Sequence, residues 1–397
     1  MTRQLQDVYI VSAMRTPVGK AKGAFRNTRP DDLLSAVLKG AMACVPQIPK
    51  EKVEDVIIGC AMPEGEQGMN VARIATLLAG FPDNVPAQTI NRFCSSGLQA
   101  ISMAADQVAQ GISDVVIAGG VESMSMVPLG GHNFSANPRF FENENIGIAF
   151  GMGITAEKVA KQWQISRQMQ DEFALLSHQK ALNAIENGVF IEEIIPITVE
   201  SDTVDLQSLK ILSNTQVVKQ DQGPRADTNM DALAKLKSAF AARGTVTAGN
   251  SSQMSDGAAA LVVVSERILA EFNLKPIAKF CGYSVAGVAP EIMGIGPIVA
   301  IPKVLKRIGL NLQDIGWFEL NEAFAAQSLA VIKELGIDQQ KVNPQGGAIA
   351  LGHPLGATGA ILATKLIHGA RRSRVKYGMV TMCIGTGMGA AGVFELL

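Results

Sequence analysis

The stretch Asn91-Arg92-Phe93-Cys94-Ser95-Ser96-Gly97 joins a predicted strand to a predicted helix, and the fold can be worked out from it. Residues 85–90 before it have the composition of a short strand, and residues 97–111 after it carry apolar side chains at helical spacing. Cys94 therefore stands where a strand turns into a helix. The free N–H groups and partial positive charge of a helix N-terminus favour a thiolate there. This position predicts a nucleophilic cysteine, and the alternative is a buried cysteine that only packs.

Around this stretch, predicted strands and helices alternate along the chain. At 397 residues and 47% hydrophobic composition, the chain is long enough for two or three domains with a large core. The alternation indicates an α/β protein whose sheets are parallel and connected by helical crossovers. The remaining elements of this first series are strands at 7–13, 55–60, 114–120 and 257–264, and helices at 31–44 and 70–79.

After Lys275-Pro276 the same order of elements starts again. The tripeptide Gly-Ala-Ala opens the last strand of both series, at Gly257 and at Gly389. We therefore predict a duplicated α/β unit, with a chance match of element order as the alternative. The second series has strands at 277–285, 315–320, 341–343, 377–383 and 389–394, and helices at 298–308, 322–335 and 357–369.

The segment 124–254 interrupts this rhythm with glycines, prolines and asparagines, two helices (155–164 and 166–187) and a polar stretch at 213–231. We interpret it as an inserted, mainly helical and loop region, of the kind that often carries binding surfaces. The predicted division is an N-terminal half at 1–123 completed by 255–274, the insertion at 124–254, and a C-terminal half at 275–397.

Composition excludes several classes of protein. The net charge is −1, only 5% of residues are aromatic, and no run of Lys or Arg is long enough for a nucleic-acid surface. No apolar run approaches the roughly 20 residues of a membrane span, and the first residues lack the apolar core of a signal peptide. The five cysteines (44, 60, 94, 281 and 383) are widely spaced without a Cys-x-x-Cys pair. They favour reduced thiols in the cytoplasm over a disulfide framework or a zinc site, and we predict no metal.

Three stretches of the second series fall at element ends that line the ligand crevice of a doubly wound sheet: 321–324, 352–359 and 383–389. Gly387-x-Gly389-x-x-Gly392 is not a dinucleotide fingerprint, because that motif needs a crossover helix and an acidic residue about 20 positions further on, and this sequence has neither there. Taken singly, Asn321 is more often a helix cap than a functional residue, His353 a turn residue and Cys383 a core residue. Together with Cys94 they supply a thiol nucleophile, an imidazole, a second thiol and an amide.

These motifs resemble those of the thiolases, and the resemblance extends over nearly the whole chain. The degradative 3-ketoacyl-CoA thiolases, or acetyl-CoA acyltransferases, are the most similar subgroup. The resemblance implies a layered αβαβα fold built from a duplicated unit with an inserted loop domain. It is carried by Asn91-Arg92-Phe93-Cys94-Ser95-Ser96-Gly97, Asn321-Glu322-Ala323-Phe324, Gly352-His353-Pro354 and Cys383-Ile384-Gly385-Thr386-Gly387, with Thr247-Ala248-Gly249-Asn250-Ser251-Ser252 similar to the family's CoA-binding stretch.

The resemblance implies a ping-pong acyl transfer in fatty-acid β-oxidation. Cys94 would form an S-acyl enzyme and expel acetyl-CoA, and free CoA would then take the shortened acyl group. His353 would polarise Cys94 and Cys383 would carry the proton. His353 and a water held by Asn321 would stabilise the enolate, and the N–H groups of Cys94 and Gly385 would form a second oxyanion hole.

Coenzyme A would then be a substrate, and no cofactor would be permanently bound. The resemblance places Ser252 near the pantetheine and Arg225 near the adenine or a phosphate, although Arg225 could also be a plain solvated charge. Gly151 stands where short-chain biosynthetic thiolases usually have a histidine, and this favours medium or long 3-ketoacyl chains. The remaining predicted CoA-binding residues are Ala248, Phe240, Phe324 and Met152.

Other functions remain open at this point. The same chemistry would serve an acetoacetyl-CoA thiolase (acetyl-CoA C-acetyltransferase) or a 3-oxoadipyl-CoA thiolase. A non-catalytic thiolase-like lipid carrier is disfavoured by the two thiols and the histidine, and a nicotinamide oxidoreductase by the incomplete glycine motif. Related condensing enzymes of fatty-acid synthesis generally have a second histidine or an asparagine where this chain has Cys383. The expected partners are CoA thioesters, a second copy in a homodimer or homotetramer to which loop 124–145 contributes, and a hydratase/dehydrogenase subunit.

Overall fold

The computed structural model describes residues 5–143, 151–204 and 211–397. Within these ranges, every helix is too short or too polar to cross a membrane. The strands are β1 (Val8–Arg15), β2 (Gly19–Lys20), β3 (Asp55–Gly59), β4 (Ala87–Ile90), β5 (Val115–Ser123), β6 (Ile197–Val204), β7 (Ile211–Val218), β8 (Ser255–Ser265), β9 (Ala278–Gly287), β10 (Ile315–Leu320), β11 (Tyr377–Ile384) and β12 (Met388–Leu396). The helices are α1 (Pro30–Ala43), α2 (Val71–Leu78), α3 (Ser96–Ala109), α4 (Met152–Gln162), α5 (Arg167–Glu186), α6 (Met230–Ala234), α7 (Glu266–Glu271), α8 (Gly296–Ile308), α9 (Ala325–Leu335), α10 (Ala348–Leu351) and α11 (Leu355–Arg372).

The first half of the sheet has the strand order β4-β3-β5-β8-β1. Strands β4, β3 and β5 run parallel, whereas β8 lies antiparallel between β5 and β1. Every residue of β5 and β8 is buried. Their nearly continuous apolar sequence fits this position, because a strand covered on both faces has no polar side.

The second half repeats this arrangement. Strand β10 is parallel to β11, and β12 lies antiparallel between β11 and β9. A single parallel bridge between Phe318 and Val342 occupies the place that β4 has in the first half. The predicted duplication is therefore confirmed, although the strand expected at 341–343 is reduced to that bridge. The expectation of parallel sheets is wrong for the last strand of each half, which is antiparallel.

The sheet has three apolar layers: one lies between its two halves, and one covers the outer face of each half. Alternate residues of β8 face opposite sides, with Ala259 and Leu261 towards a central layer and Ala258 and Val262 towards an outer one. Helices α3 and α11 form the central layer, α1 and α2 pack outside the first half, and α8 and α9 pack outside the second. This is the predicted αβαβα order.

The two central helices approach each other closely where α3 begins. A Cβ added at Gly97 would lie 2.7 Å from the backbone nitrogen of Ala360. Any larger residue at Gly97 would push the two helices apart. The turn that carries Cys94 is therefore held against α11 by backbone packing.

The region 124–254 differs from the prediction. It holds helices α4, α5 and α6, but β6 and β7 also form an antiparallel hairpin. Residues 205–210, which connect these two strands in the sequence, lie outside the described residues. A buried Arg15 in β1 ties the region to the sheet through Glu193 at 2.8 Å and Asp221 at 2.7 Å.

Candidate active site

The turn that carries Cys94 is fixed by local hydrogen bonds. Phe93 has a φ of +45°, in the left-handed region that residues other than glycine rarely adopt. The Arg92 N–H donates to Ser96 Oγ at 2.8 Å, and the Ser96 hydroxyl donates to the Phe93 carbonyl at 2.7 Å. The Cys94 side chain is only 5% exposed and packs against Ala61 and Leu355. The sequence thus presents a buried thiol at a tightly held turn before α3.

The thiol of Cys94 is protonated in the free protein. The backbone N–H groups of Gly385 and of Cys94 itself point to the sulfur and lower its pKa, but burial outweighs them. Burial, together with the negative charge of Glu122, raises the pKa of Cys94 to about 11. The expectation that the helix N-terminus favours a thiolate here is therefore wrong for the free protein, because desolvation is the larger effect.

Cys383 is the second thiol of this site. It lies at the end of β11, opposite Gly389 of β12, and is fully buried. Burial and the nearby charge of a Cys94 thiolate raise the pKa of Cys383 above its ordinary range. The two thiols are therefore close enough to interact, and a thiolate at Cys94 disfavours ionisation of Cys383.

His353 lies in the segment that leads into α11. Its Nδ1 is 2.6 Å from the Thr358 hydroxyl oxygen, and its Nε2 is 3.4 Å from Asn321 Nδ2. Burial lowers the pKa of His353 to about 4, so the imidazole is neutral at physiological pH. Leu355, two residues further on, packs against Cys94 and so connects this pair to the nucleophile turn.

Asn321 follows β10 in an extended loop, because α9 begins at Ala325 and not at residue 322 as predicted. Its N–H donates to the Thr381 carbonyl at 2.9 Å, and its own carbonyl accepts from Gln327 at 3.3 Å. The side-chain oxygen Oδ1 is buried and has no hydrogen-bond partner among the described residues. A buried acceptor of this kind is suited to hold a water or a substrate group.

Gly385 opens onto a space lined by apolar side chains. A Cβ at Gly385 would meet only Met152 Sδ, at 3.8 Å. Met152, Phe324 and Cys383 belong to one apolar cluster. The rings of Phe324 and Phe240 meet edge to face, with their centroids 5.9 Å apart. These residues form one wall that leads away from the two thiols.

The remaining predicted CoA-binding residues continue this wall. The Ser252 N–H donates to the Ala323 carbonyl at 3.0 Å, which ties the predicted CoA-binding stretch to the loop of Asn321. Arg225 and Ala248 line a cavity of about 310 Å³, together with Lys20 and His178. The Arg225 guanidinium is exposed and contacts Asp227 at 3.4 Å. The structure therefore places Arg225 and Ala248 at this cavity and Ser252 beside the loop of Asn321.

The amino-acid sequence does not lead us to predict a role for two residues of the site, Thr358 and Glu122. Thr358 lies within the predicted histidine motif, but a five-residue separation across a turn gives no pattern that pairs it with His353. Glu122 interrupts the apolar run of β5 at its carboxyl end, where polar residues line ligand crevices, so its position is a usable signal.

Two family profiles match this chain over nearly its whole length. "Thiolase, N-terminal domain" matches residues 8–267, and "Thiolase, C-terminal domain" matches residues 274–396. The chain belongs to the thiolase family. The two matches meet between β8 and β9, where the repeated order of strands starts again.

Individual thiolases agree with this assignment. The "3-ketoacyl-CoA thiolase" of Bacillus subtilis is 51% identical over 99% of this chain and 100% of its own length. The peroxisomal "3-ketoacyl-CoA thiolase B" of Mus musculus is 47% identical over 98% of this chain and 91% of its own. The crystal structure of the Bacillus anthracis acetyl-CoA acetyltransferase superposes with a TM-score of 0.89, at 41% identity and 100% coverage of both chains. The predicted family and fold are both confirmed.

Proposed function

We propose that this thiolase is a 3-ketoacyl-CoA thiolase, an acyltransferase that uses CoA to cleave 3-ketoacyl-CoA into acetyl-CoA and a shortened acyl-CoA in fatty-acid β-oxidation. The observation that carries the proposal is the buried pair of Cys94 and Cys383 beside the Gly385 N–H, with a neutral His353 connected to Asn321. The 51% identity to a 3-ketoacyl-CoA thiolase over the whole chain supports the same reaction.

In the first half-reaction, the Cys94 proton passes to the neutral imidazole of His353 and the sulfur attacks the 3-keto carbon. The N–H groups of Cys94 and Gly385, which already point to the sulfur, donate to the tetrahedral oxyanion. The bond between C2 and C3 then breaks, and its electron pair forms the enolate of acetyl-CoA. The Cys383 thiol protonates C2, which leaves acetyl-CoA, a Cys94 thioester and a Cys383 thiolate.

His353 and Asn321 stabilise the enolate in this scheme. After accepting the proton, the imidazole donates from Nε2, while its Nδ1 stays bonded to Thr358. The unpartnered Oδ1 of Asn321 holds the water that donates to the same oxygen. In the second half-reaction, the Cys383 thiolate takes the proton of CoA, the CoA sulfur attacks the thioester, and His353 returns its proton to Cys94.

CoA is the substrate that the long wall of the site accommodates. Its pantetheine would pass Met152, Phe324, Phe240 and Ser252, and its nucleotide end would occupy the cavity of about 310 Å³ at Arg225 and Ala248. Arg225 would exchange its exposed contact with Asp227 for a phosphate, which offers a guanidinium a stronger charge-assisted hydrogen bond.

We assign medium or long acyl chains as the preferred substrates. Gly151 supplies no side chain at the start of α4, so the wall beside Met152 is wider and less polar than a histidine would leave it. Phe150, the residue before it, lies outside the described residues. The acetoacetyl-CoA and 3-oxoadipyl-CoA activities remain the competing proposals, and the similarity to an acetyl-CoA acetyltransferase supports the former.

The assembly and location follow as further proposals. Strand β4 pairs only with β3 within the described part of the chain, so its other edge is available to a second copy. We propose that the protein forms a homodimer or homotetramer and that loop 124–145 contributes to the contact between copies. We also propose a partner subunit that carries the hydratase and dehydrogenase activities. The free thiols are consistent with a proposed cytoplasmic location. The division into halves around an insertion at 124–254 also remains a proposal.

The test of the proposed function is CoA-dependent thiolysis of 3-ketoacyl-CoA substrates from acetoacetyl-CoA to long chains. We expect kcat/KM to rise with chain length. Activity confined to acetoacetyl-CoA would instead assign the short-chain reaction, and a selective peak with 3-oxoadipyl-CoA would assign that substrate. The absence of thiolysis with every substrate would contradict the enzymatic proposal and support a lipid carrier.

A further inference from the structure

Glu122 is a buried carboxylate at the site that the proposed mechanism does not use. Its side chain is 0% exposed at the end of β5. Oε2 accepts from the N–H groups of Ala61 at 2.7 Å and Gly356 at 2.8 Å. Oε1 accepts from the Met62 N–H at 3.1 Å and from the side-chain amide of Gln67.

These contacts indicate that Glu122 is ionised. Every hydrogen-bond partner that the structure gives it is a donor, and the Cys60 thiol also approaches Oε1, at 3.8 Å. A protonated carboxyl would have no acceptor for its hydrogen and would lose one of these bonds. Burial raises the pKa of Glu122, while the donors act in the opposite direction. The four hydrogen bonds therefore hold a negative charge in the protein interior without a cation from the described residues in direct contact.

The carboxylate connects both turns that carry catalytic groups. Ala61 packs against Cys94, and its carbonyl accepts from the side chain of Asn91 at 2.9 Å. Gly356 lies in the first turn of α11, three residues after His353. A shift of the Glu122 side chain would therefore move the backbone on both sides of the site.

The duplicated fold gives Glu122 a counterpart. Glu122 in β5 lies opposite Gly257 of β8, and Cys383 in β11 lies opposite Gly389 of β12. Both glycines open the repeated Gly-Ala-Ala of the two halves. Glu122 therefore occupies in the first half the position that the second thiol occupies in the second half. Both positions interact electrostatically with Cys94: the charge of Glu122 raises the pKa of Cys94, and a Cys94 thiolate raises the pKa of Cys383.

We propose that Glu122 is a positioning residue that holds the turns of Cys94 and His353 together through its backbone hydrogen bonds, and that its charge, next to Cys94 across Ala61, adds to burial in opposing ionisation of that thiol. The inference rests on the proposed role of Cys94 as nucleophile. A protonated thiol reacts slowly with oxidants and alkylating agents, so the charge protects the nucleophile between turnovers. In this scheme the proton of Cys94 passes to His353 only after substrate has bound.

Few other groups near Cys94 can titrate or carry charge. Cys383 faces it from β11, Cys60 lies at the end of β3, and His353 lies in the segment before α11. Arg92, two residues before Cys94, is directed to Gln99, to which its Nε donates at 2.7 Å. Among these groups, the negative charge of Glu122 is the one that opposes ionisation of Cys94 at neutral pH.

The test is the pH dependence of Cys94 alkylation by iodoacetamide, with the modified cysteine located by peptide mass spectrometry. For Glu122→Gln we expect the profile to move to lower pH by about half a unit, because burial is the larger cause of the raised pKa, and this is about threefold faster alkylation at any pH below the midpoint. Gln67→Met is the matched control, because it removes one donor but retains the charge, and its profile should stay with the wild type. A Glu122→Gln profile that coincides with the wild type, or moves to higher pH, would overturn the inference.

A second variant restores the carboxylate–amide pair of residues 67 and 122, whose loss is the expected cause if Glu122→Gln alone does not fold. The double change Glu122→Gln with Gln67→Glu keeps an amide paired with a carboxylate, but moves the charge to residue 67. We expect its alkylation profile to move in the same direction by a smaller amount, and an unmoved profile would count against the inference. The readout requires no thiolysis, so a wild type that cleaves no 3-ketoacyl-CoA would refute the proposed function without deciding this result.

Discussion

The two halves of the molecule place different chemistry at equivalent positions. Cys94 lies in the turn between β4, the third strand of the first half when the short β2 is left out, and the central helix α3. His353 lies in the segment between the bridge at Val342, which replaces the third strand of the second half, and the central helix α11. Because α3 and α11 pack against each other in the central layer, the two turns meet. Duplication of one unit thus brings a thiol and an imidazole together.

Two polar side chains of the site, one from each half, also differ in how fully they are bonded. Glu122 of the first half accepts four hydrogen bonds, whereas the side-chain oxygen of Asn321 in the second half has no partner among the described residues. This difference indicates a division of labour. The first half holds the proposed nucleophile rigidly. The second half retains polar groups that are free to bind the substrate and to transfer protons to it and from it.

The largest expected effect tests the nucleophile of the first half. Cys94→Ser should lower kcat for thiolysis by roughly 10⁴-fold or more, because a hydroxyl beside a neutral imidazole is a far weaker nucleophile. Steady-state kinetics with a medium-chain 3-ketoacyl-CoA measure this. Cys44→Ser, which changes an exposed cysteine, is the matched control and should leave kcat unchanged. A Cys94→Ser enzyme with more than a few per cent of wild-type activity would contradict the assignment.

The next effect tests the side-chain oxygen of Asn321, the site group of the second half that has no partner among the described residues. Asn321→Ala should lower kcat by about 10²-fold, since removal of one oxyanion-hole donor costs about 3 kcal/mol. The side chain makes only a 3.4 Å contact with His353, so the thermal midpoint should change little. Single-turnover measurements of C–C cleavage, with differential scanning fluorimetry beside them, separate the two effects. A large loss of stability with normal cleavage would make Asn321 structural.

A smaller effect is expected at Thr358, the residue that orients the imidazole of His353. Thr358→Val removes the hydroxyl 2.6 Å from His353 Nδ1 and leaves that buried nitrogen unpaired. An unpaired buried polar group costs about 2 kcal/mol, which corresponds to roughly thirtyfold in kcat if the cost falls on the transition state. Thr358→Ser should retain most of the activity, because it keeps the hydroxyl. Equal losses in the two variants would point to packing and not to the hydrogen bond.

The smallest effect concerns the stability of the second half in acid. The native pKa of His353 is about 4, below the value of about 6.5 expected when unfolded, so the unfolded chain binds the proton first. Between these two values acidification should lower the free energy of unfolding by about 1.4 kcal/mol per pH unit for this one group. Urea titrations of wild type and His353→Gln across this window measure the difference in slope. His178 also has a pKa of about 4, but both proteins retain it, so its contribution to the slope is the same in both. Parallel slopes would show that His353 is not buried as described.

Local patterns in the sequence are sufficient for the duplicated fold and for most of the site. The repeated order of strands and helices, and the Gly-Ala-Ala at 257 and 389, come from short-range periodicity and turn chemistry. The catalytic motifs fall at strand and helix ends, and the fold brings such ends together. For this reason the amino-acid sequence is enough to propose that Cys94, Asn321, His353 and Cys383 share one site, while the role of each residue comes from the resemblance to the thiolases.

Properties that depend on the packing of distant segments cannot be predicted in this way. The sequence does not predict the hairpin of β6 and β7, because these strands are rich in polar residues and lack a clear apolar face. The prediction for the pKa of Cys94 is wrong because the helix N-terminus is visible in the sequence, whereas the extent of desolvation is not. The bond between His353 and Thr358 and the four donors to Glu122 likewise depend on segments that only the folded chain brings together.

The most direct test of the central claim is to trap the acyl group on the enzyme. The protein is incubated with a saturated medium-chain acyl-CoA without free CoA, and its intact mass and proteolytic peptides are measured. We predict a single acyl adduct on Cys94 that disappears when CoA is added. No adduct, or a CoA-reversible adduct on Cys383 or Cys60 with Cys94 unmodified, would contradict the account.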